Sequence, residues 1–260
     1  MDLGFVGKRA LVLSSSRGLG RAVAESLATE GADVIVTARS ADQLETVVRE
    51  INMKRGGRAK YVCGDLAHEA DAIYRAAHAA FGGIDILIAN TGGPPARAAL
   101  DAKADEWVPQ FEAMVMPILR IAGLVLPGMK ELGFGRIITI ASTSVVAPIR
   151  NLVFSTTLRS SLAGWSKTLA TEVAKDGITV NVVLPGRIQT NRTGELDRAN
   201  AKAQGKTVEQ ITETMLASIP AGRYGRVEEF ADVVTFLASE RASFITGVML
   251  RVDGGAVQSL

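Results

Sequence analysis

The chain has 260 residues, 47% hydrophobic and 22% charged, which excludes a disordered or fibrous polypeptide and suffices for one large core. Its 29 basic residues against 27 acidic ones leave a formal charge of +2, too small to argue for a nucleic-acid or membrane-surface partner. A single cysteine, Cys63, excludes an intrachain disulfide and fits a reducing compartment.

In chain order, short β-branched runs alternate with helical periodicities. Strands are predicted at Arg9–Leu13, Asp33–Thr37, Ala59–Cys63, Ile84–Ala89, Arg136–Ile140, Thr179–Leu184 and Val248–Val252. Helices are predicted at Gly20–Glu30, Ala41–Lys54, Glu69–Phe81, Trp107–Leu132, Thr157–Asp176 and Val227–Ala238. Repeated βα alternation predicts an α/β fold: a single-domain, doubly wound parallel sheet of the Rossmann type with helices on both faces. Cys63 lies in the apolar-flanked run Tyr61-Val62-Cys63 and reads as a small core residue. The first eight residues lack an apolar signal core, and stretches such as Ile137 to Ile149 are too short or too polar to span a bilayer, so the chain reads as soluble and cytoplasmic.

One domain is expected over residues 1–260, interrupted by a polar insertion at about 187–226 that carries short helices near Leu196–Gly205 and Val208–Ser218. Ligands of doubly wound sheets sit at the carboxyl ends of strands, so an insertion leaving such an end is placed to cover a substrate.

The first strand runs into Leu13-Ser14-Ser15-Ser16-Arg17-Gly18-Leu19-Gly20 and then a helix. Small residues let a backbone approach a pyrophosphate, and the helix amino terminus offers free N–H groups and a positive dipole end. Ser14, Ser16, Arg17, Gly18, Leu19 and Gly20 are therefore candidate cofactor-binding residues. Arg39 stands roughly twenty residues beyond this turn, where an NAD site carries a carboxylate. A guanidinium there pairs bidentately with phosphate, and Arg17 reaches the same group. Two arginines facing one ribose argue for NADP over NAD.

Further motifs follow in order: Gly64-Asp65-Leu66, Ala89-Asn90-Thr91-Gly92, Gly135 to Ser142, Asn181-Val182-Val183-Leu184-Pro185-Gly186 and Ile245 to Gly255. Over essentially its whole length the chain resembles the short-chain dehydrogenase/reductase family, most closely its 3-oxoacyl-carrier-protein reductase-like members. The resemblance implies that Asp65, beside Leu66, contacts the adenine amino group and that Asn90, with Gly92 beyond it, holds the cofactor-side strand. It places Pro185, Gly186 and Thr190 along the nicotinamide carboxamide. It also implies hydride transfer to or from a small-molecule carbonyl or alcohol, and a homotetramer.

The chain departs from that family in two places. Ser14 occupies a glycine position of the turn, which suits serine only if its backbone avoids positive φ. At the catalytic end Ser142 keeps the family's serine, but alignment on Leu162 to Ala170 puts Ser155 where the family has tyrosine and Arg159 where it has lysine. Ser155 and Arg159 are i and i+4 and share a helix face. The supporting asparagine position falls at Met114. A serine alkoxide forms far less readily than a phenolate, so the expected chemistry uses Arg159 as fixed positive charge and water as the proton source. Ser142, Ser155 and Arg159 are the candidate catalytic residues. The open alternative is a non-catalytic dinucleotide-binding sensor or scaffold. His68 and His78 give no metal motif and read as solvated helix residues. Arg97, Arg150, Arg187 and Arg192 hint at an anionic substrate, with solvated charge as the simpler explanation.

Overall fold

The computed structural model describes residues 1–54 and 56–259. Seven parallel strands form one sheet: β1 (Arg9–Val12), β2 (Asp33–Ala38), β3 (Ala59–Cys63), β4 (Ile86–Ala89), β5 (Gly135–Ile140), β6 (Ile178–Pro185) and β7 (Met249–Val252). Their spatial order is β3-β2-β1-β4-β5-β6-β7. The order reverses between β1 and β4, which opens a crevice at the carboxyl ends of these two strands.

Among the described residues nine α-helices connect the strands: α1 (Gly18–Thr29), α2 (Ala41–Asn52), α3 (Leu66–Phe81), α4 (Ala104–Met114), α5 (Met116–Leu132), α6 (Val153–Val173), α7 (Asn191–Gln204), α8 (Val208–Ala217) and α9 (Val227–Ala238). The period-2 rule sorts their packing. Ala10, Val12, Val34, Val36, Ile86 and Ile88 point to one face, where α1, α2 and α9 close a core. Leu11, Ile35, Leu87 and Ile137 point to the other, under α3, α4, α5 and α6. Central strands buried on both faces explain why their sequences read as continuous apolar runs rather than alternations.

Two expectations are corrected. The helix anticipated over Trp107–Leu132 is two helices broken at Val115. Pro117 lacks the N–H that would bond back to Ala113, and proline is tolerated in the first turn of α5 for that same reason. Cys63 is exposed rather than part of the core, because β3 is an edge strand and its end is uncovered. The run Ala104–Leu132 contains an 18-residue window of mean hydropathy 1.5, apolar enough by length and composition to cross a membrane. In the fold it contributes Met114, Val115, Ile118, Ile121, Ala122, Val125 and Met129 to the second core.

Beyond its ladder with β6, the segment leading into the edge strand β7 is tied down by the fully buried Asn181. Its Nδ2 donates to the Ile245 carbonyl at 2.8 Å and its Oδ1 accepts from the Val248 N–H at 3.2 Å. Asn181→Ala leaves both backbone groups without a partner, and the expected loss is about 2–4 kcal/mol. Urea denaturation reads this as a lowered midpoint; a change below about 0.5 kcal/mol would contradict the buried-asparagine account.

Candidate functional site

The turn after β1 is shaped by contacts that leave no room for side chains. A Cβ on Gly20 would lie 2.6 Å from the Ser14 carbonyl oxygen and 2.9 Å from Asn90 Nδ2. Gly18 takes φ +60. Asn90, at the end of β4, donates from Nδ2 to the Ser14 carbonyl at 3.2 Å and so joins the turn to the neighbouring strand. Ser15 makes the corresponding link to β2: its hydroxyl donates to the Val12 carbonyl at 2.7 Å and accepts from the Thr37 N–H at 2.9 Å. This residue escaped the sequence reading, which named Ser14 and Ser16 on either side of it. Its signal was available only as one small residue among three.

Ser14 itself adopts φ 49, so the condition under which serine suits this turn without strain is not met. The physical reason is the set of bonds around it. Leu13 N–H donates to the Ile88 carbonyl, Ser15 N–H to the Thr37 carbonyl, and the Ser14 carbonyl accepts from Asn90, so the chain must reverse within one residue.

The site fits a dinucleotide phosphate on three counts. Helix α1 has no side-chain cap, since its N-cap residue Arg17 makes no capping hydrogen bond, and no acidic residue sits in its first turn. Its amino-terminal N–H groups are thus open to an anion. Gly20 lets the first turn of α1 seat against the Ser14 carbonyl, and Gly18 supplies the left-handed backbone ahead of it. Arg17 and Arg39 are exposed and form no ion pair among the described residues, whereas Arg9, Arg21, Arg58, Arg97, Arg187 and Arg223 are each paired with a carboxylate. Ser16 and Leu19 are half-buried within the turn.

Asp65 caps α3: one carboxylate oxygen accepts from the Ala67 N–H at 3.1 Å, while its own N–H donates to Glu69 at 2.6 Å. Leu66 packs against the second core. The exposed Cys63 thiol donates to the Arg39 carbonyl at 3.4 Å. Gly92 is exposed beyond β4 with open space where its Cβ would be. Pro185 ends β6, and a Cβ on the next residue, Gly186, would lie 2.7 Å from Asp253 Cα. Thr190 caps α7 through its hydroxyl, which accepts from the Thr193 N–H at 3.2 Å. Its methyl group lies 3.9 Å from the Cβ position of Gly18, so the insertion meets the glycine turn directly.

At the other end of the crevice, Ser142 follows β5 and accepts from the Ser144 N–H at 3.1 Å, opening a single 3-10 turn. Helix α6 starts at Val153, four residues earlier than anticipated, so Ser155 lies in its first turn and Arg159 one turn on. Arg159 is 7% exposed, and its Nη1 donates to the Ile140 carbonyl at 2.7 Å, two residues before Ser142. Burial, followed by repulsion from Arg192, lowers its pKa to about 10, so it stays protonated at neutral pH. Ser155 is half-buried and has no hydrogen-bond partner for its hydroxyl among the described residues. Met114 is buried in the second core.

The insertion holds α7 and α8, with α7 starting at Asn191 rather than near Leu196 because Thr190 caps it there. Its ends are fastened to each other by the bridge between Ile188 and Gly225. Buried Asp197 pairs with Arg187 at 2.5 Å and accepts from Tyr224 Oη at 3.0 Å. Arg187 is thereby taken up by the insertion itself, as Arg97 is by Glu106 at 2.5 Å. Arg150 is exposed. Arg192 instead reaches across to the loop after β4, where its Nη2 donates to the Pro94 carbonyl at 2.8 Å. His68 and His78 are exposed on α3.

A family model described as enoyl-(acyl carrier protein) reductase matches residues 13–257. The chain is 37% identical over 255 residues to a 3-oxoacyl-(acyl-carrier-protein) reductase of Salmonella typhimurium, covering 97% of this chain and 98% of that one. The corresponding Aquifex aeolicus protein is 35% identical over 259 residues, with 98% and 99% coverage. Among solved structures, L-sorbose reductase from Gluconobacter frateurii complexed with NADPH and L-sorbose superposes with TM-score 0.93 at 35% identity, covering all of both chains. An actinorhodin polyketide ketoreductase variant with NADPH gives TM-score 0.90 at 30% identity over 96% of this chain and 97% of that one.

The backbone at Ser14 yields a graded prediction. Ser14→Gly is expected to raise stability by about 0.5 kcal/mol, the relief of left-handed strain being partly offset by unfolded-state entropy. Ser14→Val is expected to lower it by more than about 1 kcal/mol, since a β-branched residue tolerates positive φ worst. Thermal melts that rank the three side chains in any other order would sink the strained-turn interpretation.

Proposed function

The chain belongs to the short-chain dehydrogenase/reductase family, and from that premise we propose an NADP-dependent oxidoreductase that transfers a hydride between nicotinamide and a small-molecule carbonyl or alcohol carbon. The observation that carries this is the glycine turn: an uncapped helix amino terminus with two unpaired arginines beside it. The open N–H groups of α1 hold the pyrophosphate, and Arg17 with Arg39 grip the 2′-phosphate. Asp65 lies at the adenine end, next to Leu66. Asn90 and Gly92 border the crevice, and Pro185, Gly186 and Thr190 line the nicotinamide side. The bound cofactor supplies the hydride.

Proton handling is the unusual part of this proposal. Ser155 and Arg159 stand at the family's tyrosine and lysine positions, and Ser142 at its serine. Ser142 orients the substrate oxygen. Arg159, fixed by its bond to Ile140 and charged at neutral pH, stabilises the developing alkoxide while water delivers the proton. A proton relay contributes roughly 10²–10⁴-fold in such reactions, so losing the phenol slows turnover without abolishing it. The insertion, anchored through Ile188 and Gly225, serves as the substrate cover.

One observation favours the second reading, a dinucleotide-binding sensor or scaffold: Arg159 commits Nη1 to a backbone carbonyl, as a structural residue would. Turnover separates the two. Ketones, aldehydes and acyl thioesters are offered with NADPH, and oxidation that disappears in Arg159→Ala supports the enzyme. Tight NADPH binding with no turnover across the panel supports the sensor.

A homotetramer in the cytoplasm completes the proposal. Its support is apolar surface in two places. Beside α6 and the edge strand β7 is a cavity of about 420 Å³ lined by Ala163, Gly164, Val180, Val248 and Met249, with Phe244 fully exposed nearby in the chain. Val108, Phe111 and Leu132 are exposed on α4 and α5. Light scattering is expected to give four times the chain mass, and Met249→Arg to lower it; a wild-type monomer at micromolar concentration would refute the assembly.

For the cofactor, Arg39→Ala is expected to weaken NADPH binding by about 10- to 100-fold, the worth of charge-assisted hydrogen bonds to phosphate, and to leave NADH nearly unchanged. Fluorescence titration checks it. Equal affinities for the two cofactors in the unaltered protein would overturn the assignment.

A further inference from the structure

The arginines around the crevice divide into two kinds. Arg97 and Arg187 each meet a carboxylate within the fold. Arg159 does not: its guanidinium is nearly sealed from solvent, spends one nitrogen on the Ile140 carbonyl and has no acidic partner among the described residues. Burial, followed by repulsion from Arg192, lowers its pKa. Both are anchored at the carboxyl ends of adjacent strands, Arg159 on the last residue of β5 and Arg192 on the loop after β4. Arg192 lies over Gly93, where a Cβ would approach its Nε to 3.1 Å, so the loop is bare to admit it.

A buried guanidinium is costly unless an anion compensates it, and a second cation beside it raises that cost. Arg136, also buried without an ion pair among the described residues, is met by three backbone carbonyls, those of Ser239, Gly135 and Gly177, whereas Arg159 is met by one. The cofactor phosphates are provided for elsewhere, by α1, Arg17 and Arg39 on the β1–β2 side. Charge also sets the valence of the missing anion. Glu195 lies 3.6 Å from Arg192 and offsets part of its charge, leaving the pair with close to one net positive charge. That matches a monoanion.

We propose that Arg159 and Arg192 together receive a carboxylate carried by the substrate, so that the substrate class is an oxo acid or hydroxy acid with a free carboxyl group. This rests on the reaction site assigned above. In such an acid the carboxylate and the developing alkoxide are a few bonds apart, and the planar guanidinium fork of Arg159 reaches both. Neutral ketones and esters lack the group that compensates the buried charge and bind more weakly for that reason.

The test uses the full chain, with and without saturating NADP⁺, and three probes: acetoacetate, its neutral amide acetoacetamide, and inorganic phosphate. Calorimetric titration is expected to show acetoacetate binding at least about tenfold more tightly than the amide, the worth of one charge-assisted pair. Arg192→Gln, at an exposed position, is expected to remove that preference while circular dichroism stays unchanged. It carries the test even where Arg159→Met fails to fold. Equal affinity for acid and amide, a preference that survives Arg192→Gln, or phosphate binding as well as acetoacetate would overturn the proposal. NADPH binding is measured on the same samples. Its absence defeats the oxidoreductase reading and leaves the acid-versus-amide comparison standing in the cofactor-free protein, while equal binding of acid and amide in protein that holds NADPH defeats only the carboxylate assignment.

Discussion

The close approach of α1 to the end of β1 is the constraint on which the rest of the site depends. At Gly20 the gap to the Ser14 carbonyl is smaller than a methyl group tolerates, and Asn90 closes it from the other side. This contact brings the helix amino terminus into the crevice where the sheet order reverses, so that its unpaired N–H groups and dipole face open space. Ser15 and Asn90 then fasten the turn to β2 and β4. The strain at Ser14 belongs to the same arrangement: a residue held on both sides by hydrogen bonds has no other conformation open to it.

From that turn the molecule organises charge along the crevice. Several of its arginines meet a carboxylate, and such pairs fasten elements together: Arg9 with Asp85 joins the starts of β1 and β4, and Arg187 with Asp197 folds the insertion on itself. Arg17 and Arg39 at one end and Arg159 at the other have no carboxylate partner among the described residues. Exposure separates the two groups. Arg17 and Arg39 are solvated, so their free charge costs little. Arg159 is buried with a single carbonyl acceptor among the described residues, so most of its donors are left without a protein partner.

Much of this was legible from residue order. The βα alternation yields the parallel sheet, and small residues before an amphipathic helix mark the turn at Gly18 and Gly20. Spacing alone puts Ser155 and Arg159 one helical turn apart. Other features were not legible. Pro117 was passed over inside a long apolar run, although its missing N–H splits that run at Val115. Cys63 looked like a core residue because its neighbours are apolar, but an edge strand leaves its end uncovered. Thr190 as the cap of α7 lengthened a helix whose start was placed five residues too late.

The sequence by itself determined the fold class, the succession of strands and helices and the position of the glycine turn, because periodicity and glycine placement are local and each is read within a few residues. Only the tertiary structure decided which charges are paired. Arg187 and Arg192 stand five positions apart and look alike in sequence, yet one is absorbed by Asp197 and the other crosses to Pro94. Arg159 became an uncompensated buried cation only when α6 was packed against the end of β5. Burial and partner choice are properties of segments brought together from distant parts of the chain, and no local pattern encodes them.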